Sequence, residues 1–182
     1  MKPDLSSYNN SWYKPGNPFK RFFWYYTNLC FFRSGWLPLS GFKIFLLRLF
    51  GAKIGKGVVV KPHVNIKYPW FLSIGNHVWI GEEVWIDNLG KVTIGDNVCI
   101  SQGAMLLCGN HNYKKITFDL IVREITLHDG AWVGAKATIC PGCVVETNSL
   151  ITVGSVAMGM IESNSIYTGN PAVKVKEREI KG

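Results

Sequence analysis

Ile94-Gly95-Asp96-Asn97-Val98-Cys99-Ile100-Ser101-Gln102-Gly103-Ala104-Met105-Leu106 is the stretch that decides the fold. Aliphatic residues stand at 94, 100 and 106, and small or β-branched ones at 98 and 104. The phase extends both ways, through Ile54, Val60, Ile66, Ile74, Ile80 and Ile86 on one side and Leu127, Val133, Ile139, Val145 and Ile151 on the other. Val58, Val64, Val78, Val84, Ala131, Ala137, Cys143 and Ser149 fill the second slot, and Gly55, Gly75, Gly81, Gly95 and Gly134 follow several of the aliphatics. A period of six is neither helical nor a strand alternation. It predicts a three-sided solenoid whose six-residue rungs are each a short strand plus a corner. The aliphatic side chain points inward, the small residue fits the crowded corner, and coils stack about 4.8 Å apart. Fourteen positions in one phase are too many for an antiparallel sandwich with evenly spaced turns.

The breaks in phase locate the site. Three rungs make a coil, and steps of eight (66 to 74), eight (86 to 94) and twenty-one residues (106 to 127) separate the first four coils. Every insertion therefore falls at the same corner. The extra residues are Tyr68-Pro69-Trp70, then Asp87-Asn88-Leu89-Gly90, then a loop from about 108 to 124. Loops gathered on one edge of a rigid scaffold are where chemistry belongs.

The fold class is thus all-β, a parallel β-helix over 54–157, with a basic, aromatic cap at 1–53 and a C-terminal extension at 158–182. Phe19, Phe22, Phe23, Tyr26, Leu29 and Cys30 follow helical spacing, as do Phe42, Phe45, Leu46, Leu49 and Phe50, with Gly35 and Pro38 between. Two short amphipathic helices over the first coil are expected, since an open solenoid end needs a cover. Residues 1–56 hold nine Lys/Arg against Asp4 alone, whereas the remainder is balanced at eleven of each sign. This segment either caps the solenoid and packs between chains, or docks on an anionic inner-membrane face. No nucleic-acid partner is expected, because no binding-module signature accompanies the charge. Five scattered cysteines suit reduced thiols, and the polar first fifteen residues lack the apolar core of a secretory signal, so a cytoplasmic location is expected. The uncharged run Phe22–Phe32 is too short to cross a bilayer.

On the insertion edge the chemistry-bearing residue is His111, an imidazole able to accept a proton from a sugar hydroxyl near neutral pH. Asp87 and Asn88 share its edge one coil below; Asn88 is expected to hydrogen-bond the acceptor sugar and Asp87 to orient the acceptor or the imidazole, although an Asp-Asn-Leu-Gly stretch also makes a turn for backbone reasons alone. Tyr113 is assigned to the acceptor with them. Cys140-Pro141-Gly142-Cys143 lacks the second pair that a zinc site needs, and Cys143 fills a small-residue slot.

Gly109-Asn110-His111, the coil from Ile125 to Ala135 and Thr168-Gly169-Asn170-Pro171-Ala172 resemble the hexapeptide-repeat acyltransferases. Asn10-Ser11-Trp12-Tyr13-Lys14-Pro15-Gly16, Leu47 to Gly55 and Trp85-Ile86-Asp87-Asn88 extend the likeness to the colanic-acid-type exopolysaccharide O-acetyltransferases over nearly the whole chain. The resemblance implies a left-handed β-helix and a homotrimer with active sites between subunits. It also implies direct transfer from acetyl-CoA to a sugar or lipid-linked sugar hydroxyl, with His111 as general base and backbone N–H groups on the oxyanion. The CoA positions it implies are Trp132, Gly134, Ala135, Val153 and Gly154, with Gly169 and Pro171 near the adenine and Lys174 and Lys176 for phosphate. Where relatives carry a Thr-Lys pair, this chain reads Met158-Gly159. Two other functions compete, a scaffold or membrane-surface protein without catalysis and a zinc enzyme of carbonic anhydrase type. The zinc site needs two histidines five apart, but Ile116 follows His111 at that spacing and His63, His77 and His128 form no such pair, so no metal is expected.

Overall fold

The computed structural model describes residues 2–181. Three parallel sheets form the faces of a prism. The first stacks Lys53–Ile54, Leu72–Ile74, Val92–Ile94, Ile125–Leu127, Val144–Val145 and Met160–Ile161. The second stacks Val59–Val60, Trp79–Ile80, Cys99–Ile100, Trp132–Val133, Leu150–Ile151 and Ser165–Gly169, and the third Asn65–Ile66, Trp85–Asp87, Met105–Leu107, Thr138–Ile139 and Val156–Ala157. The register pairs each repeat aliphatic with the next, as in Ile74 with Ile94 and Ile94 with Leu127. Thirteen of the fourteen are buried, and only Ile54, at the open end, is half-buried. The solenoid runs past residue 157, where the sequence reading ended it. Met160–Ile161 and Ser165–Gly169 add strands to two faces, and Ala172–Glu177 turns back antiparallel on the second of them.

Corners need left-handed backbone, which asparagine tolerates better than most residues. Asn97, Asn148 and Asn164 take φ of 56°, 58° and 50° at the edge between the first and second faces. The same edge carries a ladder of side-chain-to-backbone bonds. Asp129 Oδ1 accepts from Asp96 N at 2.8 Å, Asp96 Oδ1 from Asn76 N at 2.7 Å and Asn76 Oδ1 from Lys56 N at 2.9 Å.

The first coil has an open edge, and the helices α1 (Pro18–Thr27) and α2 (Ser40–Leu49) cover it with donors and acceptors. Trp24 Nε1 donates to Ile66 O at 2.8 Å, Lys43 Nζ to Lys61 O at 3.0 Å, and Arg48 Nη2 to Ile54 O at 2.8 Å and Gly55 O at 2.9 Å. Ser40 Oγ accepts from Val60 N at 3.1 Å. Lys43 is fully buried, and burial pulls its ammonium down from the usual lysine value. This corrects the expected docking stripe. Phe19, Phe22, Phe23 and Tyr26 face outward, whereas Trp24, Asn28 and Phe32 dock. Trp24 and Asn28 combine bulk with a hydrogen-bonding atom for the bare sheet edge, and Phe32 packs beside Trp24. At the far end Arg178 Nη1 donates to Gly130 O at 3.0 Å and Asn148 O at 3.2 Å. Among the described residues no helix is long and apolar enough to cross a membrane.

Candidate active site

All three insertions stack on the edge between the third and first faces. The long one folds into a hairpin, with Gly109–His111 antiparallel to Leu120–Val122. Its tip returns Phe118 with φ of 50°, an unusual conformation for an aromatic residue. That turn does two things for His111. The Phe118 ring lies parallel to the imidazole, centroids 4.3 Å apart, and the Phe118 carbonyl stands 2.9 Å from His111 Nδ1. A carbonyl only accepts, so Nδ1 carries the proton in the neutral ring and Nε2 is left with a free lone pair. The Asn110 side chain accepts from the His111 N–H at 2.8 Å, and the hairpin is tied by Lys115 to Asp119 at 2.8 Å.

Residues 4–16 run along the same edge, which the sequence did not show. Asp4 N donates to Ile116 O at 3.0 Å, and the Tyr8 ring lies 5.6 Å from the imidazole. Tyr13 Oη donates to Leu89 O at 2.7 Å, and Trp70 Nε1 donates to Pro15 O at 3.1 Å. Burial pushes the Tyr13 phenol well up, so it remains a donor. One arm thus touches all three insertions. Phe118, Tyr8 and Tyr13 were missed because their roles rest on a main-chain carbonyl and on contacts across the chain.

The acceptor residues expected from sequence separate. Asn88 is fully buried, accepting from Tyr68 N at 2.9 Å and donating to Tyr68 O at 2.6 Å. Its amide is committed to the corner beneath it, which favours the turn reading over a contact with the acceptor. Asp87 lies on the insertion edge, paired in register with Leu107 of the next coil. Its Oδ1 pairs with Lys67 Nζ at 2.9 Å, at an angle too poor for a hydrogen bond, and its Oδ2 faces Gly109. Tyr113 is exposed on the hairpin, with Lys114 above its ring. Burial raises the thiols of Cys108 to about 11 and Cys143 to about 12, which makes neither a nucleophile at neutral pH.

No protein-family model matches the chain. Over 178 residues, 96% of this chain and 97% of the relative, 34% of positions are identical to the colanic acid biosynthesis acetyltransferase WcaF of Escherichia coli (strain K12). The chain belongs to the WcaF-type hexapeptide-repeat acetyltransferases. This acetyltransferase is also similar to a galactoside acetyltransferase solved in complex with coenzyme A, at TM-score 0.78 and 26% identity over 89% of this chain and 82% of that one. It shares its fold with the hexapeptide-repeat acetyltransferase VCA0836 of Vibrio cholerae, at TM-score 0.79 and 20% identity over 88% and 92%.

In this acetyltransferase the residues assigned to CoA lie on a different edge from His111. Gly134-Ala135 and Val153-Gly154 form corners between the second and third faces, stacked through Gly154 N to Ala135 O at 2.9 Å. Gly154 has φ of 67° and open space where a Cβ would stand, and Val153 is 70% exposed. Trp132 stands on the second face, its Nε1 donating to Ser101 Oγ at 2.9 Å. Gly169 and Pro171 turn the final hairpin. Lys174 is held by Glu162 at 2.8 Å and Glu177 at 2.7 Å, which raise its ammonium, so it is not a free phosphate ligand. Lys176 is exposed, as is Lys136 beside Gly103 on the bare edge.

Proposed function

We propose that the enzyme transfers an acetyl group from acetyl-CoA to a sugar hydroxyl in exopolysaccharide or capsule synthesis, with His111 as general base. The observation that carries this reading is the 2.9 Å contact of Nδ1 with the Phe118 carbonyl, which fixes the tautomer and leaves Nε2 basic. Bound acetyl-CoA supplies an electrophilic acyl carbon and a thiolate leaving group. His111 Nε2 takes the acceptor hydroxyl proton, the Phe118 carbonyl stabilises the imidazolium, and the proton returns to the departing sulfur. Asp87 orients the acceptor from one coil below. Such a base contributes about 10²- to 10⁴-fold.

The bare edge fits CoA through its open backbone at Gly154, with Lys136 and Lys176 replacing the lysine absent at Met158-Gly159. His111 and that edge do not meet within one chain, which supports a homotrimer whose sites lie between neighbours. Acetyl-CoA consumption against nucleotide sugars and lipid-linked oligosaccharides, run beside His111→Ala, tests the proposal. Full turnover in the variant removes the base.

We also propose peripheral contact with an anionic membrane face. Phe19, Phe23, Trp36, Leu39 and Phe45 are all more than half exposed, on a cap with no acid between residues 5 and 81. Vesicle flotation at low and high salt checks it, and unchanged flotation with and without anionic lipid ends it.

A further inference from the structure

A cleft of about 540 Å³ lies between α1 and the lowest two coils of the third face. Three cations line it, Arg21, Arg33 and Lys67, and the carboxylate among its lining residues is Asp87. Lys67 and Asp87 pair at 2.9 Å and cancel. Arg21 and Arg33 have no ion-pair partner among the described residues. The sequence explains why. No Asp or Glu occurs from residue 5 to residue 81, so the wall built by α1 and the first coil offers these guanidiniums nothing to pair with. Two uncompensated guanidinium forks suit phosphate oxygens. Exposed faces of Phe22 and Trp85 flank them, giving a flat apolar surface beside the charge.

Position connects the cleft to the chemistry. Asp87 forms its upper rim and pairs in register with Leu107 of the next coil. Its Oδ2 lies 3.8 Å from where a Cβ of Gly109 would stand, two residues before His111. A ligand anchored by phosphate between Arg21 and Arg33 therefore extends past Asp87 toward the imidazole.

We propose that this cleft holds the diphosphate of a glycosyl diphosphate acceptor, with the sugar reaching up to His111. A diphosphate diester carries two negative charges, matching the two unpaired guanidiniums. The acceptor role rests on the transferase reading above, whereas the binding of diphosphate does not. The diphosphate comes either from a nucleotide sugar or from a prenyl-linked one, and both present the same two charges.

The test is direct binding to the full-length protein, by calorimetry and tryptophan fluorescence. The probes are uridine diphosphate glucose, farnesyl diphosphate-linked glucose in detergent, and methyl glucoside as a neutral control. At least one diphosphate should bind more tightly than the control. Arg21→Ala and Arg33→Ala should each weaken that binding about tenfold, or about 1.4 kcal/mol, leaving the control unmoved. Arg21 is exposed, so Arg21→Glu carries the test should Arg33→Ala fail to fold. The arm that binds identifies the source. The idea is overturned if neither diphosphate exceeds the neutral sugar, or if the arginine variants bind both like wild type. Intact diphosphate binding by a wild type that transfers no acetyl group to the bound sugar overturns the transferase reading and leaves the cleft standing.

Discussion

The edge between the third and first faces carries all three insertions, whereas the edge between the second and third faces advances by six residues in every coil. On the first, loops bring side chains to the surface and hold one imidazole between a ring and a carbonyl. On the second, Gly134, Ala135 and Gly154 present corners with little side chain, and Gly154 faces open space. General-base chemistry needs an oriented side chain, and a long amide-bearing cofactor needs accessible backbone. In the reading proposed above one prism supplies both, on different edges of the chain.

The two edges should fail differently. His111→Ala is expected to lower kcat about 10²- to 10⁴-fold with little change in the KM for acetyl-CoA, read by release of the CoA thiol. A matched rise in KM would mean the imidazole belongs to binding instead. Gly154→Trp should do the converse, raising the KM for acetyl-CoA about tenfold at a folding cost of about 1–2 kcal/mol for a side chain at positive φ. If neighbouring chains contribute one edge each, refolding the two variants together at equal ratio restores about a quarter of wild-type activity, because half the sites receive an intact base and half of those an intact groove. No recovery on mixing would place both edges of one site in one chain.

The ends of the solenoid provide a smaller contrast. At the first coil the cap bonds a bare sheet edge through side chains, whereas the last coil continues into a paired hairpin. Trp24→Phe keeps an aromatic side chain but removes the indole's second ring and strands the Ile66 carbonyl, and the stranded carbonyl alone should cost about 1–3 kcal/mol in denaturant unfolding. A value near zero would reduce the cap to apolar packing.

The walls were legible because each aliphatic is constrained by the one below it, which writes the same residue class every six positions. The sixth turn escaped notice because the step from Ala157 to Ile161 is four, breaking the phase where the chain shortens a corner. His111 stood out in the sequence by its place in the longest insertion, and its role as base remains a proposal. Phe118 was not, since its carbonyl acts, and any residue has one. Asn88 stayed open between two readings because an amide that clamps the corner below and an amide that binds sugar look alike in sequence. The docking face of α1 was misread for a related reason, in that hydrophobic spacing does not report which residues carry a donor.

The third edge, between the first and second faces, carries no insertions, and its ladder should show in acid. Asn76 donates its backbone N–H and then its side-chain amide to Asp96, holding that carboxyl below its usual 3.8. A depressed folded-state value means that unfolded chains take up the proton first as the pH falls. The stabilisation is therefore complete above the ordinary aspartate value and lost as the pH drops through the folded one. Melting temperature should fall between about pH 5 and pH 3, and less steeply in Asp96→Asn, whose oxygen still accepts but no longer titrates. The slope should shrink without vanishing, because Asp4 and Asp119 are depressed as well. Identical slopes in wild type and variant would show that Asp96 shapes the corner without coupling it to pH, and would leave acid sensitivity to Asp4 and Asp119.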